Sequence, residues 1–391
     1  MSACREQAKS RTSDSYKQTH GRSAVALFTD DSTQPAGTPR RSGRVGWLVL
    51  GVALFSGIIL GVAPSPYVIE KPGPVYNTLG TTQNEGEETP LISIPSQTVY
   101  PTEGSLGLLT VSVVGNPEDR PSWLDVAIAW LNPSEAVIPI DRVFPANVTA
   151  EQRDEQNQVA MVNSQQDAIA AALTNLGYEY PTTVSVVSLP TDSPAAGIIE
   201  EADQVVSVNG ASVADITALR SALQTNGAGT EATLGIIRDG ADQAVRVTPV
   251  DLDGSVVVGI NVRMEYQFPF EVQIQLDQVG GPSAGMMFAL GIIDKLTPGA
   301  IQGGADVAGT GTIDQSGTVG AIGGIQQKLY GAKDAGADWF LAPADNCNEV
   351  SGHIPDGLTV FSVKTLDDSL AALDAIRTGA DTSGLATCPT S

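Results

Sequence analysis

The sequence predicts an α+β chain with a mostly-β segment in its middle and a single transmembrane helix near its N-terminus. Three patterns carry that prediction. Residues 45–63, VGWLVLGVALFSGIILGVA, contain no charge. Residues 182–250 break into short β-branched runs punctuated by Asn209-Gly210 and Asp239-Gly240, the dipeptides of tight hairpin turns. From residue 255 onward, strand-like and helix-like stretches alternate.

Residues 1–44 are rich in Ser, Thr, Arg and Gln without apolar periodicity, and read as a disordered cytoplasmic tail. They hold 8 Lys and Arg against 4 acids, leaving 13 basic and 40 acidic residues beyond and a net charge of −27 there. The uncharged run that follows would span about 28 Å at a helical rise of ~1.5 Å, close to the hydrocarbon thickness of a bilayer. A buried core helix or the apolar part of a cleaved signal peptide would also lack charge. Apolar residues on every side and the flank Arg40, Arg41 and Arg44 argue against the first; the long leader and Pro64 after Ala63 argue against the second. The basic flank orients the helix with its N-terminus in the cytoplasm and residues 64–391 outside the cell membrane. The acidic bulk, without a basic stripe, excludes nucleic acid as a partner.

Residues 64–90, with their prolines and an acidic run, read as an extended stalk. Residues 104–115 form a strand. Residues 121–133 place Trp123, Val126, Ala127 and Trp130 at i, i+3, i+4 and i+7, a short amphipathic helix stopped by Pro133. Residues 149–177 form a longer, connecting helix ending at Gly177. Cys347 and Cys388 share the oxidising side and are candidates for a disulfide tying the tail 378–391 to the last domain; two unrelated thiols is the alternative.

Residues 178–250 resemble a PDZ domain of the permuted bacterial kind. The resemblance rests on Ser193-Pro194-Ala195, Gly197, Val206-x-Val208-Asn209-Gly210, the helix after it and Arg238-x-Gly240. Ala202-Asp203 stands where Gly-Asp is frequent. The resemblance implies an extended peptide bound beside an open strand edge. By position that edge is the strand 183–189, with Val184 and Val186.

Gly281-Pro282-Ser283-Ala284-Gly285 is a G-x-S-x-G, followed by an apolar helix. Such a serine needs a base. Beyond the tail the one histidine is His353, in the polar turn SGHIPDG; a Ser–acid–His order is permitted, but no HGGG-type oxyanion segment precedes it. A lysine can serve if burial disfavours its charge. The candidates are Lys71, Lys295, Lys328, Lys333 and Lys364; on the helix GGIQQKLYGAKDAG, Lys328 falls inside the apolar arc of Ile325, Leu329, Ala332 and Ala335 at ~100° per residue, and Lys333 lies beyond its edge. A snorkelling stem is the ordinary reading of such a lysine.

Residues 270–340 resemble the proteolytic domain of Lon-type Ser–Lys peptidases. The ordered matches are Gly281–Gly285, Ala308-Gly309-Thr310-Gly311-Thr312-Ile313, Gly317-x-Val319-x-x-Ile322-Gly323-Gly324, and Lys328. The resemblance implies Ser283 as nucleophile, Lys328 as general base and Thr310 as a hydroxyl that orients the pair. Backbone groups of Gly281, Pro282 and Ala284, at the start of a helix over 283–295, would cradle the oxyanion. Gly280 replaces the acidic residue usual before Gly-Pro-Ser.

The chain is similar over most of 45–375 to exported, membrane-anchored PDZ–Lon proteins of Gram-positive bacteria. That likeness implies a split Lon-like domain, residues 91–148 and 255–377, with the PDZ domain inserted. It also implies a homo-hexamer. No G-x-x-x-x-G-K-[ST] occurs, so this chain encodes no P-loop for ATP, and neither cofactor nor metal is expected. The function this implies is an ATP-independent serine endopeptidase cleaving unfolded or peptide-like exported proteins, with the PDZ domain recruiting or gating them. The alternative is a catalytically inactive PDZ scaffold at the cell surface, motivated by Gly280.

Overall fold

The structure is a computed structural model that describes residues 42–84, 87–145, 148–276 and 279–390. The expected tail, with Cys4 and His20, lies outside the described residues. The chain divides into two units at residue 55, inside helix α1 (Ser42–Val62). Val45–Val62 is exposed throughout and long and apolar enough to cross a membrane.

After α1 come β1 (Tyr67–Asn77), β2 (Ser105–Val114), the short helix α2 (Trp123–Ala129), β3 (Ala136–Pro139) and the long helix α3 (Ala150–Asn175). Capping boxes start both helices, Ser122 with Asp125 and Thr149 with Gln152, each pair satisfying two orphan backbone donors. Residues 64–90 are therefore no stalk. β1 lies between β2 and β3 in the main sheet, and Val68 and Ile69 are buried. Its prolines suggested an unpaired segment because proline cannot donate to a ladder. The sheet absorbs them in an irregularity between Pro72 and Val75. There Gly73 lies against Thr110, whose Oγ1 donates to the Pro74 carbonyl at 2.8 Å.

The middle block folds as an antiparallel sheet: β4 (Thr182–Ser188), β5 (Gln204–Val208), helix α4 (Ile216–Asn226), β6 (Ala232–Arg238), β7 (Ala241–Val247) and β8 (Asn261–Tyr266). The strand order is β7-β6-β5-β4-β8. This corrects the expected peptide edge. β4 pairs with β5 on one flank and with β8 on the other, Val186 opposite Val262 and Val184 opposite Met264. Both valines are core residues, Val184 0% and Val186 2% exposed. The strand that displaces them from the edge lies within 255–377, the range the sequence reading gives to the Lon-like domain. Ala202 adopts φ +69°, which explains why glycine is frequent there. Next to it, Asp203, itself buried, takes two bonds from the Arg238 guanidinium, at 2.7 and 2.6 Å.

The last block supplies α5 (Gly285–Leu296), β9 (Asp306–Gly309), α6 (Ile325–Asp334), β10 (Trp339–Pro343), β11 (Thr359–Val363) and α7 (Leu366–Thr378). Ahead of α5, Gln273–Ile274 pairs with Ile92–Ser93. The main sheet runs β11-β10-β9-β2-β1-β3, parallel from β11 through β2 and antiparallel at β1 and β3. Strand alternation deals Leu106, Leu108, Val307, Leu341 and Phe361 to one face. Leu109, Ala308, Phe340 and Val360 go to the other. On the first face pack α3, α5 and α7; on the second packs α6. Every residue of α5 from Gly285 to Asp294 is buried, which is why it shows no polar face. Cys347 and Cys388 form a disulfide that holds the C-terminal tail beside β11, where Cys388 N–H donates to Val360 O.

Candidate active site

The site lies at the C-terminal end of β9, where helices from both faces of the sheet converge. Gly281 turns the chain with φ +85°, Pro282 and Ser283 follow, and α5 begins at Gly285 with Ala284 as its cap. The helix therefore starts two residues after the expected 283. Ser283 is fixed through its own carbonyl, which accepts from Gly311 N–H at 2.9 Å and from Thr310 Oγ1 at 2.9 Å. Across the sheet, α6 carries Lys328 on the apolar arc read from the sequence. Its Nζ lies 2.8 Å from Ser283 Oγ and 2.9 Å from Thr310 Oγ1.

The direction of these bonds matters. The single Thr310 hydroxyl proton is given to the Ser283 carbonyl, so toward Lys328 that oxygen can only accept. One amine N–H must therefore point at Thr310, which turns the remaining positions of Nζ toward Ser283. Lys328 is 2% exposed and Thr310 0%. Burial pushes the lysine down from 10.5 to about 7, because the charged form loses more hydration than the neutral one.

The other candidates are placed elsewhere. Lys71 and Lys364 are exposed, Lys333 reaches the Gly357 carbonyl, and Lys295 reaches that of Leu79. His353 lies in the 351–357 turn, and its backbone N–H bonds Val350 O. Among the described residues its side chain has no hydrogen bond to Ser283. Two of the three expected oxyanion donors are lost. Gly281 N–H is already given to Asn157 O at 2.9 Å, and Pro282 has no N–H at all. Ala284 N–H remains, and beside it Ser283 N–H; among the described residues neither has an acceptor.

Two residues that sequence reasoning missed hold the serine turn from α3. Ser164, buried, donates from Oγ to Pro282 O at 2.9 Å, and Asn157 receives Gly281 N–H. Their signal is the spacing Asn157, Met161, Ser164, Ala168, a 3–4 repeat in which polar residues interrupt an apolar stripe. Asn157 also gives Gly280 a packing reason: a Cβ at 280 would stand 2.7 Å from Asn157 Cβ.

A cleft of about 390 Å³ opens on Ser283 and Lys328, with Tyr76, Thr110, Val111 and Ser112 along one wall. Tyr76 belongs to β1 and the other three to β2, which β9 accompanies only over Ser105–Leu108, so beyond Leu108 this side of β2 has no strand partner among the described residues.

Residues 278–375 match the Lon protease (S16) C-terminal proteolytic domain, and residues 154–248 match a PDZ domain. The chain carries a Lon-type proteolytic domain and a PDZ domain. Lon protease 1 of Sorangium cellulosum (strain So ce56) is 37% identical over 100 residues, covering 25% of this chain and 12% of that protein. Lon protease 1 of Bacillus subtilis (strain 168) is 36% identical over 93 residues, covering 23% and 12%. The chain thus covers about an eighth of the length of these relatives. The PDZ domain of an SdrC-like protein from Listeria innocua is 21% identical, covering 20% of this chain and 92% of that one, with a TM-score of 0.20. The Lon-type match begins beside the serine turn, whereas β1, β2 and α3 complete the same core from earlier in the chain. β8, outside the PDZ match, completes the PDZ sheet.

Two outcomes follow from this packing. Between about 7 and 10.5 the unfolded chain binds a proton at Lys328 that the folded chain does not, so stability rises with pH across that window. The expected gain is roughly 1.4 kcal/mol per pH unit. In Lys328→Met it should vanish, as read by urea unfolding of both forms at pH 7 and pH 9. An equal pH dependence in the two proteins would refute the buried amine. Gly280→Asp, which restores an acidic residue, should destabilise the fold by about 1–3 kcal/mol through its clash with Asn157. Unchanged stability in the same assay would show that α3 yields at that point.

Proposed function

We propose that this chain is a membrane-anchored serine endopeptidase that uses Ser283 and Lys328 and needs no ATP for the cleavage itself. One observation carries the reading: a lysine amine, buried and held near neutrality, 2.8 Å from a serine hydroxyl that opens on a cleft.

In the proposed reaction the neutral Lys328 amine takes the Ser283 proton as Oγ attacks a peptide carbonyl. The carbonyl oxygen gains charge and is received by the Ser283 and Ala284 N–H groups, aided by the positive end of α5. The lysine ammonium then returns its proton to the leaving amine, and an acyl-serine remains. Water, deprotonated by the same lysine, attacks the ester and frees the enzyme. Thr310 keeps the amine aimed throughout. A substrate in extended form can pair with the unpartnered side of β2 beyond Leu108, which would lay its backbone along the cleft wall. Substrates that are unfolded or have free tails meet that requirement; folded chains do not.

The PDZ domain would supply recruitment or gating. The edges of its sheet are β7 and β8; β8 has α4 packed close by, so an extended peptide would add there rather than to β4. α1 would anchor the assembly, with the acidic folded region outside the cell. Against the inactive-platform alternative stands the Ser283–Lys328 contact itself; the packing of Gly280 on Asn157 accounts for the glycine there.

With the purified full-length protein and an unfolded polypeptide substrate, Ser283→Ala and Lys328→Ala should each lower kcat/KM by roughly 10³-fold or more. His353→Ala should leave it unchanged. In the wild type kcat/KM should rise with pH through about 7, the value at which Lys328 loses its proton. Hydrolysis surviving in Ser283→Ala, or lost in His353→Ala, would overturn the assignment.

A further inference from the structure

α2 presents two apolar faces, and the fold uses one. Val126 and Ala129 are buried, and Trp123 meets the Tyr67 ring edge-on with centroids 5.9 Å apart. The sequence periodicity assigned Trp123, Val126, Ala127 and Trp130 to the inward side; Ala127 and Trp130 are exposed. The opposite face carries Leu124, Ile128 and Leu131, at i, i+4 and i+7, exposed by 50%, 57% and 86%, while Trp130, 62% exposed, lies on the Trp123 side with its ring edge-on to Tyr67 at 6.4 Å. Scattered apolar residues on a surface need no explanation. Three large ones within about two helical turns form a patch that water disfavours.

Its position in the chain says what would cover it. The apolar run of α1 ends at Val62. Trp123 N–H donates to Ala63 O at 3.2 Å, Ser65 N–H donates to Pro121 O at 2.8 Å, and Pro64 bridges Ser122. α2 is thus bonded to the residues directly after the apolar run, within about 7 Å of chain from its last valine. If α1 crosses a bilayer, Val62 sits at the hydrocarbon boundary, and α2 is held at the depth of the headgroups. That is where an exposed apolar helix face and a cluster of Trp and Tyr are stabilised. The carboxylate of Asp125 does not oppose this, because it is folded back onto Ser122 in the capping box.

We infer that α2 is a membrane-interface helix: Leu124, Ile128 and Leu131 insert into the outer boundary of the same bilayer that α1 spans. The lipid contact fixes the tilt and height of the folded region above the membrane, so that the anchor is a two-point attachment and not a swivel. The inference rests on α1 being a membrane span.

Nitroxide labels on the full-length Cys4→Ser protein, in nanodiscs of phosphatidylcholine and phosphatidylglycerol, test it. Labels go at Leu131→Cys and Ile128→Cys, with references at Leu54→Cys in α1 and at Leu252→Cys, an exposed position just after the PDZ match. The expected ratio of oxygen to nickel-chelate accessibility at 128 and 131 is roughly threefold or more above that at 252. Water-like values at 128 and 131 with a lipid-buried Leu54 label would overturn this inference and leave the anchor standing. Water-like values at all four would overturn the anchor, and the inference with it. Strong dipolar broadening at 131 without lipid accessibility would assign the patch to a second copy of the chain, also against it.

Discussion

Lys328 brings an amine to a place where it is 2% exposed and has two hydroxyls for company. Charge is costly there, and the cost is what makes the amine available as a base. The surrounding architecture follows from keeping that spot dry. α6 must bury its apolar arc against β1 and β2, and α5 must be apolar on every side. Gly291 lets Thr78 approach α5 to a distance no side chain would permit, and Gly285 does the same for Ser164 and Ile313. The parallel arrangement of β2, β9 and β10 brings the start of α5 and the side of α6 to one strand end. Loosening any of these layers would admit water to the amine and return it toward an ordinary lysine.

The chemistry-bearing residues were legible because each had a local signature. Ser283 sits in a G-x-S-x-G before an apolar run, and Lys328 lies inside the apolar arc of its helix where Lys333 does not. Thr310 became readable through its neighbours in an ordered set. What failed to show were the partnerships made across long sequence separations. Pairing of β1 with β2 and β3 converts a proline-rich segment into a sheet interior, and nothing within residues 64–90 announces its partners. β8 takes the edge from β4 for the same reason, being 73 residues away at the Ser188–Asn261 pair. The oxyanion reading erred on a simpler matter: proline has no proton to give, and the Gly281 N–H was claimed by a helix that periodicity alone does not dock.

The interleaving of the two domains has a mechanical basis. The PDZ domain leaves and re-enters the Lon-type core at adjacent points, where Gln267 N–H donates to Pro181 O at 3.0 Å. An insertion with neighbouring ends disturbs its host least. The junction is also stiff. Tyr180 meets Phe268 edge-on at 5.2 Å, Tyr266 stacks on Phe268 at 5.3 Å, and Tyr178 meets Phe270 at 5.1 Å. Tyr266, the last residue of β8, donates to Asp167 of α3 at 2.7 Å.

That junction constrains how a PDZ ligand could influence cleavage. β8 runs into residues 267–276, whose Phe268, Phe270, Val272 and Ile274 pack on the Lon-type core, and the serine turn begins a few residues later. α3, which receives the Tyr266 hydroxyl through Asp167, also holds the turn through Asn157 and Ser164. A peptide added to β8 would therefore sit on a strand braced at its end by the helix that positions Ser283. A flexible tether would deliver substrate by raising its local concentration at many positions of the cleft. A braced strand holds the peptide in one place relative to the serine, so under the proposed function the length of chain between the docked segment and the scissile bond becomes the selecting variable. Specificity would then come from reach as much as from the side chains at the cleavage point.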